Sequence, residues 1–358
     1  MNILYLLFSF TTGGTERLVS DICNEMASRG HNVHLLIVND LIDQSMLDSL
    51  NDNVQVCLQK RTAGGGDKLG TLLKIARYIR DNKIAFVHCN SFAAPELLLL
   101  KPLYFPKVKI IHTVHGMGQY KTLGKAKCLL RNLLCHRFIA ISDSVKEDML
   151  AYGAAPKKLR TVYNAINLSK FVPAEKVPST PIVIGNVARI MPEVKGQDIL
   201  LEALSKLSVD FRCFFAGGAD AVHQKDLEAL KQQAARLGID QKVTFVGNVE
   251  DIPAFLSKLD IFVLPSRSEG FGISLIEAMA MGIPCIASQL DGPAEVLQNG
   301  KYGTLFMPES SDDLAQKLEE VLSNFPQKQE TAKCALHYVR ETFSIVTMCD
   351  HLEQVMGE

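Results

Sequence analysis

Short apolar runs alternate with amphipathic segments of helical length along this 358-residue chain, and this alternation restricts the fold more than any single motif. The run NILYLLFSF predicts a buried strand. The following GTERLVSDICNEMASRGH predicts a helix, because Leu18, Ile22 and Met26 recur at every fourth position. Further strands are expected at 85–89, 109–113 and 137–141. Repeated strand–helix order is typical of a parallel sheet with helices on both faces.

The alternation is interrupted at 170–181 by KFVPAEKVPSTP, whose three prolines predict a linker. A second series of strands and helices follows it, beginning with IVIGNVA. We therefore predict an α/β chain of two tandem doubly wound, Rossmann-like domains, with the boundary between residues 172 and 173. Ligands of such sheets bind at the carboxyl ends of the strands, so we expect the site in the cleft between the domains.

The composition is that of a soluble globular protein, with 47% hydrophobic and 22% charged residues. No apolar run reaches the roughly 18–20 residues of a membrane-spanning helix, and the N-terminal pattern is not that of a secretory signal. The nine cysteines are scattered without a Cys-x-x-Cys pair. This pattern favours reduced thiols and a cytoplasmic protein.

The stretch SEGFGISLIEAMAMGIP, at 268–284, begins as a glycine-containing loop and continues as an apolar helix. The backbone N–H groups of Gly270, Phe271, Gly272 and Ile273 fall at the predicted helix start. Unpaired N–H groups at a helix start, together with the helix dipole, attract anions. The stretch therefore predicts a phosphate site.

Two glutamates in the same stretch suggest a ligand that also carries hydroxyl groups. Glu277 lies about a turn and a half into the helix, and its side chain leans toward the N-terminus, where it can accept hydrogen bonds from a ribose. Glu269, in the loop, can accept them from a sugar. The alternatives are an exposed helix residue for Glu277 and a charge favoured by the helix dipole for Glu269.

Arg189 and Lys195 follow the first strand of the second half and precede a helix. A guanidinium fork and a point charge at the carboxyl end of a strand suit a diphosphate. The alternative interpretation is two solvated surface cations. Glu193 lies between them and is expected to weaken the local positive field.

The first half holds two further candidates. Gly13 and Gly14 follow the first strand and precede a helix, which allows close backbone approach to an anion or forms an ordinary turn. His112 and His115 are expected to follow a strand. Their position at its carboxyl end makes both candidates for a functional role, and the alternative is that they are structural, as a lone histidine usually is.

Several motifs are absent. The chain has no Asp-x-Asp pair for a metal bridging a nucleotide diphosphate, no G-x-S-x-G elbow and no Walker lysine. Basic and aromatic residues are not interleaved as on a nucleic-acid surface.

Taken together, these residues resemble the family 4 glycosyltransferases. Glu269-Gly-Phe-Gly-x4-Glu277 carries the resemblance, with Arg189 and Lys195 upstream and Gly13-Gly14 near the start. It extends over nearly the whole chain through FIAISDSVKEDM, VYNAIN, KGQDILLEAL, IFVLPSRSEGFGISLIEAMAMGIPCIAS and GPAEVL. The family implies a GT-B fold and retaining sugar transfer from a nucleotide sugar without a metal cofactor. It also implies that a last helix at about 343–358 packs on the first domain, leaving 173–342 as the second.

The resemblance also implies residue roles. Arg189 and Lys195 would bind and stabilise the departing diphosphate, while Glu269 would hold the transferred sugar and Glu277 the ribose. The backbone of 270–272 would contact sugar and phosphate, and the Gly13-Gly14 loop would close on the phosphates. His115 would lie near the sugar. Front-face attack, with the leaving phosphate taking the acceptor's proton, is expected rather than attack by Glu269 as a nucleophile.

Charge is unevenly distributed along the chain, with +9 over residues 1–172 and −10 over the remainder. From Leu97 to Arg137 there are eight basic residues and no acidic one. The segment KTLGKAKCLLRNLLCHR predicts a basic amphipathic helix that can lie on an anionic membrane, which a polyprenyl-diphosphate-linked acceptor would require. The alternative is a solvated helix packed on the sheet.

The expected activity is hexose transfer, with UDP-sugar as donor, to a glycan or lipid-linked acceptor of a bacterial surface polysaccharide. Alternative functions are a GT-B phosphorylase or epimerase, or a non-catalytic subunit that binds a sugar nucleotide.

Overall fold

The computed structural model describes residues 1–62, 67–173 and 177–358, so the predicted linker at 170–181 lies partly outside the described residues. The chain divides into two compact units, one formed by residues 1–166 and 345–358 and the other by residues 167–344. The boundary between the units falls between residues 166 and 167, whereas the sequence pattern predicted it between residues 172 and 173. Ile166 belongs to the first unit because its carbonyl accepts the Ile345 N–H at 3.0 Å.

The first unit is built on a sheet in which every pairing between strands is parallel. Its strands are β1 (Asn2–Leu7), β2 (Asn32–Asn39), β3 (Gln55–Arg61), β4 (Phe86–Cys89), β5 (Lys109–Val114), β6 (Arg137–Ala140) and β7 (Leu159–Thr161). Their order across the sheet is β3-β2-β1-β4-β5-β6-β7. The connecting helices are α1 (Gly14–Ser28), α2 (Gln44–Asp48), α3 (Lys68–Asp81), α4 (Lys101–Tyr104), α5 (Gly124–Leu134) and α6 (Asp143–Ala151).

The second unit repeats this architecture with the sheet order β10-β9-β8-β11-β12-β13, again all parallel. The strands are β8 (Ile182–Val187), β9 (Phe211–Ala216), β10 (Val243–Gly247), β11 (Ile261–Leu264), β12 (Cys285–Ser288) and β13 (Thr304–Phe306). The helices are α7 (Pro192–Lys195), α8 (Gln197–Leu204), α9 (Gln224–Arg236), α10 (Ile252–Leu256), α11 (Ile273–Ala280), α12 (Asp291–Val296), α13 (Ser311–Ser323) and α14 (Phe325–Thr342). Ile184, Leu200, Phe215, Val263 and Leu318 belong to its buried core.

The chain ends in α15 (Ile345–Gly357), which packs against α1 in the first unit. Its buried face carries Met348, Cys349, Leu352, Val355 and Met356. Arg29 of the first unit donates to the carboxylates of Asp350 at 2.7 Å and Glu353 at 2.8 Å. Apolar contact and charge pairing therefore both hold this helix.

Two doubly wound sheets confirm the predicted α/β fold class. In each sheet the strand order reverses beside the first strand, between β1 and β4 and between β8 and β11. The carboxyl ends of strands at such a reversal are where doubly wound sheets bind ligands. Among the described residues, no helix is both long and apolar enough to span a membrane.

Candidate functional site

The loops at the strand reversal of the second unit carry the predicted donor-binding residues. Arg189 and Lys195 follow β8, while Glu269 follows β11, the strand paired with β8. The Nζ of Lys195 donates to Oε2 of Glu269 at 2.8 Å, with side-chain exposures of 24% and 16%. Two residues that are far apart in sequence thus form one half-buried ion pair at the expected ligand edge.

Arg189 differs from Lys195 in being exposed. Its backbone carbonyl accepts a hydrogen bond at 2.9 Å from Nε2 of Gln197, a fully buried side chain at the start of α8. The backbone at Arg189 is therefore fixed while its guanidinium can reach a ligand.

The loop that precedes α11 is closely packed. Gly272 is the N-cap of the helix and has a left-handed φ of 100°, a conformation that glycine adopts without steric cost. The Phe271 side chain is buried, with its ring 5.3 Å from that of Phe343 between centroids. A Cβ on Gly292, in α12, would clash with the backbone of Glu269 and Gly270. The loop is thus held by core contacts on its inner side.

Glu277 is half-buried in α11, between the buried Ile276 and Ala278. Ile273 is the first residue of the helix. The carboxylate accordingly belongs to the same helix whose start was predicted to bind phosphate.

In the first unit, the loop after β1 leads to Gly13, an extended N-cap, and to Gly14, the first residue of α1. Oδ2 of Asp43 accepts from the Thr12 N–H at 2.6 Å and from the Thr12 hydroxyl at 2.8 Å. Asp43 was not identified from the sequence as part of this loop. An aspartate just before a helix indicates only an N-cap, and its contact with Thr12 depends on the fold.

His115 lies directly after β5, as expected, and its Nε2 is 3.4 Å from Oδ1 of Asn90 at the end of β4. Burial lowers the pKa of His115 to about 4, so the imidazole is neutral at physiological pH. The expectation that His112 also follows the strand is wrong. His112 lies within β5, as it does within the strand expected at 109–113, and it is fully buried between the rings of Phe92 and Phe138.

The basic section from Leu97 to Arg137 is only partly a surface. Arg131 is buried in α5, where its guanidinium donates to Oε1 of Glu96 at 2.8 Å and stacks 4.2 Å from the Phe92 ring centroid. Arg137 donates to Glu358 at 3.2 Å. At these two positions, acidic residues outside the section pair with its arginines.

The leucines on and beside α5 differ in burial, and Leu130 is half-buried. Leu134 is buried, as is Leu123, the residue preceding the helix. Leu129 and Leu133 are exposed by 62% and 72%. Lys125 is exposed one turn before Leu129. The outer face of α5 thus presents lysine and leucine together.

Among the described residues, a cluster of metal-ligand atoms within 4.8 Å of one another is formed by Glu193 of α7, His223 at the N-cap of α9 and Asp226 in the first turn of α9. The Nδ1 of His223 is 2.6 Å from Oδ1 of Asp220, and its Nε2 is 3.8 Å from Glu193. Glu193, which was expected to weaken the positive field near Lys195, thus also lies close to a histidine.

Two family models match this chain in succession. The model described as Glycosyltransferase Family 4 matches residues 12–170, and the one described as Glycosyl transferases group 1 matches residues 169–336. The chain belongs to the family 4 and group 1 glycosyltransferases. The family predicted from the sequence motifs is therefore confirmed, and the chain is a glycosyltransferase with the GT-B fold.

Curated relatives of this glycosyltransferase include the O-antigen biosynthesis glycosyltransferase WclY of Escherichia coli. It is 25% identical over 309 residues, which cover 81% of this chain and 80% of WclY. The lipopolysaccharide core biosynthesis mannosyltransferase LpsB of Rhizobium meliloti (strain 1021) is 26% identical, over 68% of this chain and 70% of its own length.

Among solved structures, that of Anabaena HepE in complex with UDP covers 100% of both chains. Its TM-score is 0.86 at 21% sequence identity. This likeness shows that the glycosyltransferase shares the same fold from end to end.

Proposed function

We propose that this glycosyltransferase transfers a hexose-type sugar from a UDP-sugar, with retention of anomeric configuration, to a glycan or polyprenyl-diphosphate-linked acceptor. The acceptor belongs to a bacterial surface polysaccharide. The observation that carries the proposal is the Lys195–Glu269 pair at the strand reversal of the second unit. The names of WclY and LpsB support a surface polysaccharide, and the UDP complex of HepE supports the donor base.

The proposed chemistry follows from the charges at this edge. When the bond between the anomeric carbon and the diphosphate breaks, its electron pair leaves with the phosphate oxygen, which becomes more negative. Arg189 and Lys195 stabilise that charge. The acceptor hydroxyl forms the new bond on the same face of the sugar and transfers its proton to the leaving phosphate oxygen, so no enzyme nucleophile is needed.

Glu269 binds sugar hydroxyls in this proposal, and Glu277 binds the ribose. The backbone of Gly270, Phe271 and Gly272 contacts the sugar and the phosphates. His115 and the Gly13-Gly14 loop, in the first unit, keep the donor-binding roles that the family resemblance implies. His115 acts as a neutral hydrogen-bonding group, because its lowered pKa keeps it uncharged. Two cations already oppose the diphosphate, so the proposed reaction requires no metal and should survive EDTA.

The test begins with a thermal-shift screen of UDP-, GDP- and ADP-sugars, because a donor bound at saturation raises stability by a few kcal/mol. The selected donor is then incubated without acceptor, and slow hydrolysis is measured in the wild type and in Glu269→Ala, Arg189→Ala and Lys195→Ala. Loss of hydrolysis in the variants supports the enzyme, and proton NMR of the released sugar reports its anomer.

The same experiment separates the alternatives. Donor binding without hydrolysis or transfer would indicate a non-catalytic binding subunit. Turnover that requires inorganic phosphate would indicate a phosphorylase, and release of an inverted-centre sugar nucleotide would indicate an epimerase.

We further propose a peripheral position on the cytoplasmic face of an anionic membrane, which a lipid-linked acceptor requires. The contact surface is the outer face of α5, with Lys125, Leu129 and Leu133, where leucines can enter the interface while lysine faces the headgroups. Both residue types are needed. Burial of the leucine side chains in the interface contributes binding free energy, and the lysine charge makes the helix prefer anionic lipids.

Flotation with liposomes tests this surface. The wild type should float with vesicles containing anionic lipid, and Leu129→Ser combined with Leu133→Ser should not. Leu69→Ser is the matched control, since Leu69 on α3 is exposed by 64% in the same unit. Equal flotation of all three proteins, or none of the wild type, would contradict the proposed membrane contact.

A further inference from the structure

No short stretch of chain connects the segment that carries Lys195 to the loop that carries Glu269, so chain connectivity does not fix the distance between them. They follow different strands, β8 and β11, and 74 residues separate the two side chains that meet at 2.8 Å. A diphosphate charge is stabilised only when its cation lies within a few tenths of an ångström of the productive position. Some contact must therefore set the distance between the two segments.

Arg267 makes that contact with its side chain. Nη1 donates to the backbone carbonyl of Pro192 at 2.6 Å and to Oδ1 of Asp198 at 2.6 Å. Nη2 donates to Oδ2 of Asp198 at 2.8 Å. The guanidinium thus hydrogen-bonds to both ends of the turn that contains Lys195: to the first residue of α7 and to a residue in the first turn of α8.

The backbone beside Arg267 binds the same turn. The N–H of Arg267 donates to the carbonyl of Val194 at 2.8 Å, and that of Ser268 to the same carbonyl at 3.3 Å. Gly196 lies against Pro265, so closely that a Cβ there would overlap the Pro265 carbonyl oxygen. Glu269 is two residues beyond Arg267, so each of these contacts fixes Lys195 relative to Glu269.

A surface ion pair alone would contribute little, since exposed pairs are worth about 0–1 kcal/mol. Arg267 differs in two respects: it is exposed by only 24%, and it joins a carboxylate fork to a backbone carbonyl. Lysine has no planar fork and cannot satisfy that geometry. The third partner, Glu309, accepts from Nε at 2.9 Å but is itself 59% exposed and lies outside the 192–198 turn in sequence.

We infer that Arg267 is a positioning residue for the donor site, which holds the Lys195 turn against the Glu269 loop through Pro192 and Asp198. The inference rests on the proposed function, because the position it sets matters only if Lys195 binds the donor diphosphate. Nothing in this role requires Arg267 to touch the donor.

The first experiment measures kcat and KM for donor hydrolysis in Arg267→Gln, Arg267→Lys and Asp198→Asn. We expect kcat/KM to fall by about tenfold to a hundredfold in both arginine variants, since a misplacement of about 1 Å has that effect. Glu309→Gln is the matched control, because it removes the one partner outside the turn, and its kcat/KM should stay within about twofold. Near-ultraviolet circular dichroism and the melting temperature confirm that each variant is folded.

The decisive measurement is a double-mutant cycle with Lys195→Ala, using binding of the donor's nucleoside diphosphate by calorimetry. If Arg267 acts through Lys195, Arg267→Gln weakens binding about fivefold or more in the wild-type background and less than about twofold in the Lys195→Ala background. A general structural role would give the same factor in both backgrounds and would overturn the inference.

The outcomes distinguish this inference from the proposed function. Unchanged kinetics of Arg267→Gln in an enzyme whose wild type turns over a nucleotide sugar would overturn the positioning role alone. A folded wild type that neither binds nor turns over any nucleotide sugar would overturn the proposed function and the positioning role with it.

Discussion

At the scale of single residues, the Lys195–Glu269 pair has two opposing roles. The carboxylate holds the lysine in place, but it also neutralises the charge that the proposed diphosphate site requires. In the proposed donor site an incoming diphosphate would compete with Glu269 for the same ammonium group, so nucleotide affinity and sugar binding would depend on Glu269 in opposite directions.

Glu269→Gln should therefore bind the bare nucleoside diphosphate more tightly than the wild type, by about threefold or more, because Lys195 loses its anionic partner. The same variant should lose donor turnover, because the amide is a poorer acceptor for sugar hydroxyls. Isothermal titration calorimetry measures the first effect and donor hydrolysis the second.

Lys195→Ala is the opposite control and should weaken diphosphate binding. Weaker diphosphate binding in Glu269→Gln than in the wild type would show that the carboxylate supports the nucleotide and not the sugar.

His88 provides a pH-dependent prediction that involves no ligand. It is buried in β4 with Nε2 2.7 Å from the Thr113 hydroxyl, and burial lowers its pKa to about 3. The pKa of a histidine in the unfolded chain is about 6.5, so below that pH the unfolded chain binds a proton at His88 and the folded chain does not. The free energy of unfolding should thus fall as pH decreases from about 6.5 toward 3.

In His88→Gln this loss should be smaller by about 1.4 kcal/mol for each pH unit below about pH 5.5. Urea unfolding at pH 7, 5 and 4 measures it, with the slope compared between proteins so that any constant packing defect cancels. Equal slopes in the variant and the wild type would mean that His88 titrates normally in the fold.

The residue types at the site were predictable from the sequence, but their pairings were not. Arg189, Lys195 and Glu269 could be selected because each follows an expected strand, and the carboxyl ends of strands face a ligand. Arg131 and Glu96 could not be paired in advance, since a run without acidic residues predicts a solvated face. Only the packing of α5 on the segment that contains Glu96 buries that arginine.

At the scale of secondary-structure elements, the turn between α7 and α8 depends on one glycine. Gly196 has a left-handed φ of 64° and no room for a Cβ beside Pro265. Gly196→Ala should lower donor turnover and destabilise the fold by more than the roughly 1–2 kcal/mol of left-handed strain alone. Donor hydrolysis and urea unfolding measure the two effects.

Gly238→Ala is the matched variant, because Gly238 has a similar φ of 70° with nothing within 4 Å of an added Cβ. It should show the strain without the loss of turnover. Equal effects at the two glycines would mean that the close approach at Gly196 has no role.

The interior strands were predictable because continuous apolar runs are typical of parallel strands buried on both faces. The edge strands β3 and β7 were not identified. β3 reads QVCLQKR and is exposed or half-buried at every residue, while β7 has only three residues. An edge strand with a polar sequence lacks the periodic signal on which such predictions rest.

At the scale of the whole molecule, the first unit is assembled from two separate parts of the chain. Leu352→Ala, in the buried face of α15, should lower the unfolding free energy of that unit by about 2–5 kcal/mol. Val346→Ala on the same helix is the control, because Val346 is 51% exposed and its loss should cost within about 0.5 kcal/mol. Denaturant unfolding measures both.

Equal stability of the two variants would mean that α15 contributes nothing to the first unit. The return of the last helix to the first unit was predicted from the family resemblance. It was not predictable from hydrophobic periodicity, since nothing within residues 345–358 specifies the unit on which they pack.

This chain order has a consequence for synthesis on the ribosome. Domains usually complete their folding from the N-terminus onward as they emerge. Here the helix that covers α1 is translated only after all of residues 167–344, which form a continuous unit of their own. All residues of the second unit are therefore translated before the first unit has its last helix. Until α15 is made, the nascent first unit exposes the apolar face of α1.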